Sequence, residues 1–502
     1  MTPIKKIRIL SRKSDLAVIQ AKQVGFKIQD NFPDIKIEYI SKKTSGDIDL
    51  KTPLAEMGNS GVFTDDLRND LIKNECDLAV HSFKDLPLDL GSDSIIAGTL
   101  TREDQRDILF VKKDKFDEIK KKKVITIFSS SPRRVYNLKP FVKDFMPGQI
   151  EDVKFENIRG NIPSRLEKFL KSDVDILIVA KAAIDRLIGS NILEFKTISK
   201  LMKENIQKCL WMVIPLSQNP SSPGQGALGI EIKKENTKLI EIITKITDPL
   251  TMYCVNQERK ILERYGGGCH QKIGVSFFPT FFGLMKSEKG ETDKGEKFYC
   301  WEKNDTQIKK NETITEDMIF PSSLKEYKLF QRKQIDQSII KINNIKNHCL
   351  WISRKSALPQ NSKISLSNIV WTSGVETWKD LAKRGFWVNG TSDGMGEDFN
   401  PNILNLTSFP WIKLTHSQAP KTTIDNVIET YELNEMPIKE DLSSKKYFYW
   451  MSSTAFNYVL RENPSIIKSK HFCGPGNTYK ELKKVIKDSN NLEISLSYKD
   501  WK

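Results

Sequence analysis

The run Tyr265-Gly266-Gly267-Gly268-Cys269-His270-Gln271 sets a thiol behind consecutive glycines, between a charged helical stretch over 258–264 and a β-branched apolar one over 273–275. Glycine accepts backbone angles that other residues avoid, so the pattern predicts an exposed helix-to-strand turn with Cys269 at its tip. Such a thiol can carry a covalently bound group; the plainer alternative is a small-residue turn holding a chance cysteine. No metal is expected there, because Cys254 and Cys300 are too distant for a zinc knuckle and adjacent Cys269 and His270 are poorly placed to share one ion.

A second stretch invites chemistry. Asp77-Leu78-Ala79-Val80 reads as a short buried strand, and His81-Ser82-Phe83-Lys84-Asp85-Leu86-Pro87 leaves its C-terminal end, where open α/β sheets bind ligands. Asp85 is either a surface partner of Lys84 or a functional carboxylate. In a cleft whose other charges are cationic it stays ionised and can stabilise positive charge developing on a substrate. His81 reads as a hydrogen-bonded core residue, and Ser82 lacks the Gly-x-Ser-x-Gly setting of a nucleophile elbow.

Arg12, Arg133, Arg134, Arg159 and Arg165 fall on loops or strand ends, interleaved with Ser14, Ser129, Ser130, Ser131 and Ser164. One such arginine would mean nothing. Several at the edges of facing lobes predict a pocket for several carboxylates, which guanidinium forks bind in pairs while staying charged; scattered surface charge is the alternative. GxxxxGK[ST] is absent, so a nucleotide phosphate held by a P-loop is not the expected ligand.

The elements that must position these residues follow from periodicity. Strands are expected over 7–10 and 36–40, flanking an amphipathic helix from Leu16 to Phe32, then a helix within 61–74 capped by Thr64. A second α/β segment begins near Arg102, with strands over 124–128, 153–157 and 176–179. The strand over 227–232 is expected to return to the first sheet, giving two α/β lobes joined by two crossovers with a cleft between them. An α+β domain carrying the glycine turn follows. Residues 302–350 are Lys- and Asn-rich and weakly patterned, and read as an irregular tail and a linker. After Leu350, strand, small-polar loop and helix recur, as in Trp371-Thr372-Ser373-Gly374 and Gly474-Pro475-Gly476-Asn477-Thr478, predicting a Rossmann-like appendage.

Composition bounds the class. A chain of 502 residues exceeds one core, and about three or four domains are expected. Hydrophobic content of 38% and a mean hydropathy of −0.44 suit a soluble globular protein, with no stretch apolar enough to span a bilayer. The first ten residues run straight into a strand-like segment without a signal peptide's apolar stretch, so a cytoplasmic protein is expected. The 7 cysteines are scattered and free of CxxC pairs, which argues for reduced thiols. The net charge of +15 is dispersed, its one dense run being Lys120 to Lys123 at an expected helix end. That favours a polyanionic small molecule over nucleic acid.

Together these stretches resemble the porphobilinogen deaminase (hydroxymethylbilane synthase) family. The matches are Arg12-Lys13-Ser14 with Leu16-Ala17 and Gln20, Thr44 to Asp47, Gly61 to Thr64, Asp77 to Pro87, Arg102-Glu103-Asp104, Ser130 to Arg134, Ile158 to Arg165, Pro223 to Gly229, and Glu258-Arg259 through Gly274, in the family's order. The resemblance implies two lobes like those of periplasmic binding proteins (1–101 with 220–246, and 102–219) and a cysteine-bearing α+β domain (247–330). It implies a dipyrromethane cofactor held through a thioether to Cys269, and contacted by Lys84, Ser129, Arg133, Arg134, Gly160 and Ser14. Arg12, Arg159 and Arg165 would take the substrate's carboxylates. The implied reaction is stepwise addition of porphobilinogen with loss of ammonia, Asp85 stabilising the azafulvenium cation, and release of hydroxymethylbilane.

Departures from the family pattern fall at Gly266, where a glutamate is usual, and at Asp15, Phe128, Pro132 and Lys272. Beyond a linker at 331–350, residues 351–502 more faintly resemble uroporphyrinogen-III synthase, through Trp371 to Leu381, Trp450 to Leu460 and Gly474 to Leu482. That likeness implies roles for Ser373, Tyr458 and Thr478; a decayed or half-sized synthase domain, or an interaction module, is the alternative. A monomer is expected, with no nucleic acid or membrane partner. From a different class, a non-catalytic two-lobed solute-binding protein would require an export signal and no tethering cysteine.

Overall fold

The computed structural model describes residues 4–48, 61–267, 271–304, 315–324, 327–420 and 422–502; Cys269 lies outside the described residues. Strands β1 (Lys6–Arg12), β2 (Lys36–Lys42), β3 (Leu78–Ser82) and β4 (Ser94–Gly98) are followed by β5 (Asp107–Lys112), β6 (Val124–Phe128), β7 (Asp152–Glu156), β8 (Ile176–Ala180) and β9 (Cys209–Val213), and then by β10 (Leu228–Lys233). They build two sheets of the same plan, ordered β2-β1-β3-β10-β4 and β7-β6-β8-β5-β9. Within each, four strands run in one direction, while β10 in the first and β5 in the second are inserted antiparallel. Each inserted strand reaches its sheet across a crossover, so the two lobes share two connections, at about 99–106 and 214–227. This is the two-lobed α/β architecture expected from the strand pattern.

The local reasons are plain. β3 and β8 are short apolar runs buried along nearly their whole length, as central strands of a covered sheet must be. The helix Asp15–Asn31 turns Ala21, Val24 and Ile28 onto the first sheet, where they join Ile7, Ile9, Leu78, Val80 and Ile230 in one core. Ser14 caps that helix by accepting a hydrogen bond from the Ala17 N–H at 3.4 Å. Thr64 does not act as the expected side-chain cap: the helix Asp65–Ile72 starts just after it, but its hydroxyl donates backwards to the Gly61 carbonyl at 3.4 Å.

A third body completes the first compact unit, which comprises Met1–Asp144, Gly148–Pro279 and Met285–Trp301. Its helix Pro249–Arg264 is capped by Asp248, which accepts from the Thr251 N–H at 2.6 Å, and has proline at its first position, where the missing N–H costs nothing. The strands β11 (Gly274–Thr280), β12 (Gly283–Glu291) and β13 (Lys297–Lys303) form its sheet.

The C-terminal unit, Phe145–Pro147, Thr280–Leu284 and Glu302–Lys502, corrects two expectations. Its strands are β14 (Ile319–Phe320), β15 (Phe330–Gln334), β16 (Cys349–Ile352), β17 (Ile369–Thr372), β18 (Gly390–Thr391), β19 (Trp411–His416), β20 (Val427–Glu435), β21 (Tyr447–Trp450), β22 (Lys470–Cys473) and β23 (Leu492–Ile494). They form two sheets, not one: β15-β20-β19-β16-β17-β18 and β14-β21-β22-β23. Residues 331–350 are not a linker, because β15, the helix Gln337–Asn343 and the start of β16 occupy them. β15 pairs antiparallel with β20 as an exposed edge strand, so its Phe-Gln-Arg-Lys-Gln sequence needs no apolar alternation. The chain enters the four-stranded sheet through β14, crosses to the six-stranded sheet and returns at β21.

Candidate active site

The turn after β3 is built by burial of Phe83. Its ring is 2% exposed and its N–H donates to the Ala227 carbonyl at 3.0 Å, which fixes the short helical turn Phe83–Asp85 against the second crossover. Gly224, in a left-handed conformation, allows this approach: a side chain there would meet Phe83 and the Lys84 backbone at 3.2–3.3 Å. Lys84 donates to the Gln225 side-chain carbonyl at 3.2 Å. Burial first, and then the Arg134 and Arg133 charges, push its amine down to about 8 against the opposing pull of Asp85 and Asp107. Among the described residues the Asp85 carboxylate has no hydrogen-bond or ion-pair partner, although its charge bears on both Lys84 and Arg165.

Opposite, Ser129-Ser130-Ser131 leaves β6 and leads into the helix Pro132–Phe145. Ser130 ties this loop to the next by donating to the Ile158 carbonyl at 3.2 Å and accepting from the Ile158 N–H at 3.1 Å. Ser129 is buried, and its hydroxyl accepts from the Ser131 N–H at 3.4 Å. Gly160, also left-handed, offers its carbonyl to the Arg165 Nε at 2.7 Å. The terminal nitrogens of Arg165 have no partner among the described residues. Burial and the neighbouring Arg134, Arg159 and Arg12 push its guanidinium down to about 10, with Asp85 pulling the other way. The residues expected from sequence thus converge from both lobes: Arg12 and Asp85 on one side, Arg134, Arg159 and Arg165 on the other. Arg159 also donates to the Gly46 carbonyl of the first lobe at 3.4 Å.

Three expected ligand residues have structural partners that the sequence did not disclose. Arg133 and Arg134 both grip Asp107, the first residue of β5: Arg133 Nη2 at 2.9 Å, Arg134 Nη2 at 2.7 Å and Arg134 Nε at 3.0 Å. Asn219 and Gln225 donate to the same carboxylate at 2.8 and 2.9 Å. These donors hold Asp107 far below the usual carboxylate range despite its complete burial. Among the described residues the buried Arg133 Nε has no hydrogen-bond partner, a donor that a ligand could use. Arg12 forms a bidentate pair with Asp47, and its guanidinium lies over the Phe63 ring at 4.2 Å. Ser14 is engaged as a helix cap. Asp107 itself was missed; the available signal was an acid opening an otherwise apolar strand, Asp-Ile-Leu-Phe-Val.

The thiol proposed to carry the cofactor is not described, but both ends of its loop are. Arg259, on the helix Pro249–Arg264, donates to the Leu86 and Leu88 carbonyls at 3.2 Å each. A side chain at Gly267, which is left-handed, would meet Leu88 at 2.6 Å. The near end of the cysteine loop therefore abuts the segment that carries Asp85. Tyr265 stacks on Phe298 with ring centroids 4.5 Å apart and donates to Glu288 at 3.3 Å, while Gln271 donates to the Tyr265 carbonyl at 2.8 Å and so ties the loop's two ends. Gly266 is also left-handed, which suits glycine where the family usually has glutamate. Pro132 falls at the first position of its helix and Lys272 pairs with Glu291 at 2.5 Å, so both departures are accommodated locally.

The family description "Porphobilinogen deaminase, dipyromethane cofactor binding domain" matches residues 7–241. The porphobilinogen deaminase of Chlorobium phaeobacteroides (strain BS1) is 34% identical over 271 residues, which cover 54% of this chain and 78% of that one. That of Chlorobium phaeovibrioides (strain DSM 265 / 1930) is 36% identical over 272 residues, with the same coverage of 54% and 78%. The chain belongs to the porphobilinogen deaminase family. Membership supports an enzymatic, deaminase-like activity and a place in tetrapyrrole biosynthesis. Among solved structures, the alkanesulfonate-binding protein SsuA from Xanthomonas axonopodis pv. citri overlaps 53% of this chain and 76% of its own at 14% identity, with a TM-score of 0.26, too low to bear on the reading. Among the described residues no helix is long and apolar enough to cross a membrane.

In the C-terminal unit the Ser373 hydroxyl donates to the Ser353 carbonyl at 2.7 Å and the Tyr458 hydroxyl to the Met436 carbonyl at 2.8 Å. Tyr458 borders a cavity of about 350 Å³ together with Gln418, Ser453, Asn457 and Arg461. Thr478 lies in the first turn of the helix Asn477–Val485.

Proposed function

We propose that the chain is a hydroxymethylbilane synthase, joining porphobilinogen units head to tail with loss of ammonia. The observation that carries this reading is the Asp85 carboxylate, unpartnered among the described residues, facing Arg165 across a basic cleft and flanked by the segment that meets Gly267. The residues fit an acidic dipyrrole. Lys84, the Arg133 Nε and the Arg165 terminal nitrogens supply donors for its carboxylates, with Ser129 and Gly160 beside them and Cys269 as its covalent anchor. When bound, dipyrromethane supplies the nucleophilic pyrrole carbon and, being tethered, removes the entropy cost of holding an acceptor.

The chain's own groups do the rest. Arg165, Arg159 and the paired Arg12 take the acetate and propionate of the incoming pyrrole and orient its aminomethyl arm. As the carbon–nitrogen bond of that arm breaks and ammonia leaves, positive charge spreads to the substrate's pyrrole nitrogen. Asp85 accepts a hydrogen bond from that N–H and stabilises the charge, an interaction that strengthens as the transition state forms. Asp85→Asn should leave the cofactor bound while turnover falls by about 10²–10³-fold, as when one preorganised electrostatic group is lost. Wild-type turnover in that variant would remove Asp85 from the role.

A second activity is supported by the two α/β sheets of the C-terminal unit, joined by two crossings, and by the cavity beside Tyr458. This arrangement suits a uroporphyrinogen-III synthase, which closes the linear tetrapyrrole with inversion of its last ring. Incubation with hydroxymethylbilane should give the type III isomer; type I alone would rule the activity out.

A further inference from the structure

One side chain between the two deaminase lobes holds a cation with one end and an anion with the other, and none of the roles above uses it. Gln225 sits on the second crossover and is 1% exposed. Its side-chain carbonyl accepts from the Lys84 ammonium of the first lobe at 3.2 Å. Its NH2 group donates to Asp107 Oδ1 of the second lobe at 2.9 Å and to the Gln105 carbonyl of the first crossover at 2.7 Å. Turned the other way, the amide would set its NH2 against an ammonium and its oxygen against a carboxylate and a carbonyl. Only one orientation is satisfied.

The backbone mounts this amide firmly. Gly224 and Gly226 flank it, both left-handed, and a side chain at Gly226 would meet the Glu103 carbonyl at 2.5 Å. The Gly224 N–H donates to Glu258 at 2.7 Å, and the Gln225 carbonyl accepts from Arg102 Nε at 2.8 Å. The Gly226 carbonyl accepts from Arg186 Nη2 at 2.8 Å and from the Glu103 N–H at 3.1 Å. The groups whose charge bears most on Lys84 are Asp85, Arg134, Asp107 and Arg133. Among the described residues no carboxylate pairs directly with its ammonium, so Gln225 supplies the acceptor. A charged residue would not serve in its place: glutamate would face Asp107, and lysine would face Lys84.

We propose that Gln225 is a positioning residue for the deaminase reaction: its amide holds the Lys84 ammonium of one lobe and the Asp107–arginine cage of the other in register, so that both present donors to one acidic ligand. Without the amide oxygen, the buried ammonium has no dipole to offset its desolvation, which favours the neutral amine. Without the NH2 group, Asp107 loses one of the donors that share it with Arg133 and Arg134. The inference deepens the deaminase reading and rests on it for the identity of the ligand.

The test titrates Lys84 itself, by trace acetylation of the full chain across pH with mass spectrometry of the peptide containing Lys84, beside porphobilinogen turnover over the same range. The Lys84 midpoint should lie at about 8 in the wild type. In Gln225→Met it should fall by about one pH unit, as for loss of a hydrogen bond to a charged group, and the alkaline limb of turnover should fall with it. Gln225→Asn, whose amide stands on a stem one carbon shorter, should move both in the same direction and serves if Gln225→Met does not fold. An unmoved midpoint in a folded variant would overturn the proposal, since lost stability alone does not change how Lys84 titrates. A moved midpoint with an unmoved limb would overturn it too. A moved midpoint in a chain that never turns porphobilinogen over, wild type included, would uphold the hold on Lys84 and count against the deaminase reading alone.

Discussion

Replacing Asp107 by asparagine tests how the basic cleft is held. The carboxylate accepts from Arg133, twice from Arg134, and from Asn219 and Gln225, all between 2.7 and 3.0 Å. Asparagine keeps one acceptor, turns an NH2 group toward donors and leaves two buried guanidiniums uncompensated, which should cost about 3–5 kcal/mol. For a unit of this size that is a fall in melting temperature of about 10 °C. The sign of the pH dependence follows from the depressed native carboxyl. Its contribution is fully present above the unfolded value, near pH 4, and is lost as pH falls toward the native one. Scanning calorimetry should therefore show a constant gap between wild type and Asp107→Asn from about pH 5 to pH 8, narrowing only in stronger acid. A fall of less than about 2 °C would refute the reasoning, since it would mean that the arginines find other partners at little cost.

Two further outcomes follow from the same geometry. If protonated Lys84 holds an acidic group of the bound dipyrrole, activity should decline as pH rises through about 8, and Lys84→Arg should move that limb upward; a profile flat to pH 10 would contradict it. Tyr265→Ala removes the stack on Phe298 and should destabilise the third body by about 0.5–1.5 kcal/mol more than Tyr265→Phe, which keeps the ring; equal melting temperatures for the two variants would count against the brace.

Much of the deaminase half was readable because its signals are local. Apolar runs such as Ile176–Ala180 have no stable place but a covered strand, and the residues at strand ends announce themselves by charge. What the sequence hid were partners distant along the chain. Arg133 and Arg134 read as ligand forks because their common acid lies 26 and 27 residues upstream, at the head of an apolar strand. Arg12 hid Asp47 in the same way, 35 residues downstream. The C-terminal unit was underestimated for another reason. β14 is two residues long and β15 is an exposed edge, so neither shows the alternation that marks a half-buried strand, and a stretch that contributes to both sheets reads as a linker.

The central claim, a cleft in which a tethered primer grows ring by ring opposite an acidic side chain, is tested most directly by intact mass spectrometry of the purified chain. The account predicts the mass of one dipyrrole on the peptide containing Cys269, its loss in Cys269→Ser, and successive additions of one pyrrole unit when porphobilinogen is supplied. An unmodified Cys269, or a modified one that gains no further mass with substrate, would contradict it.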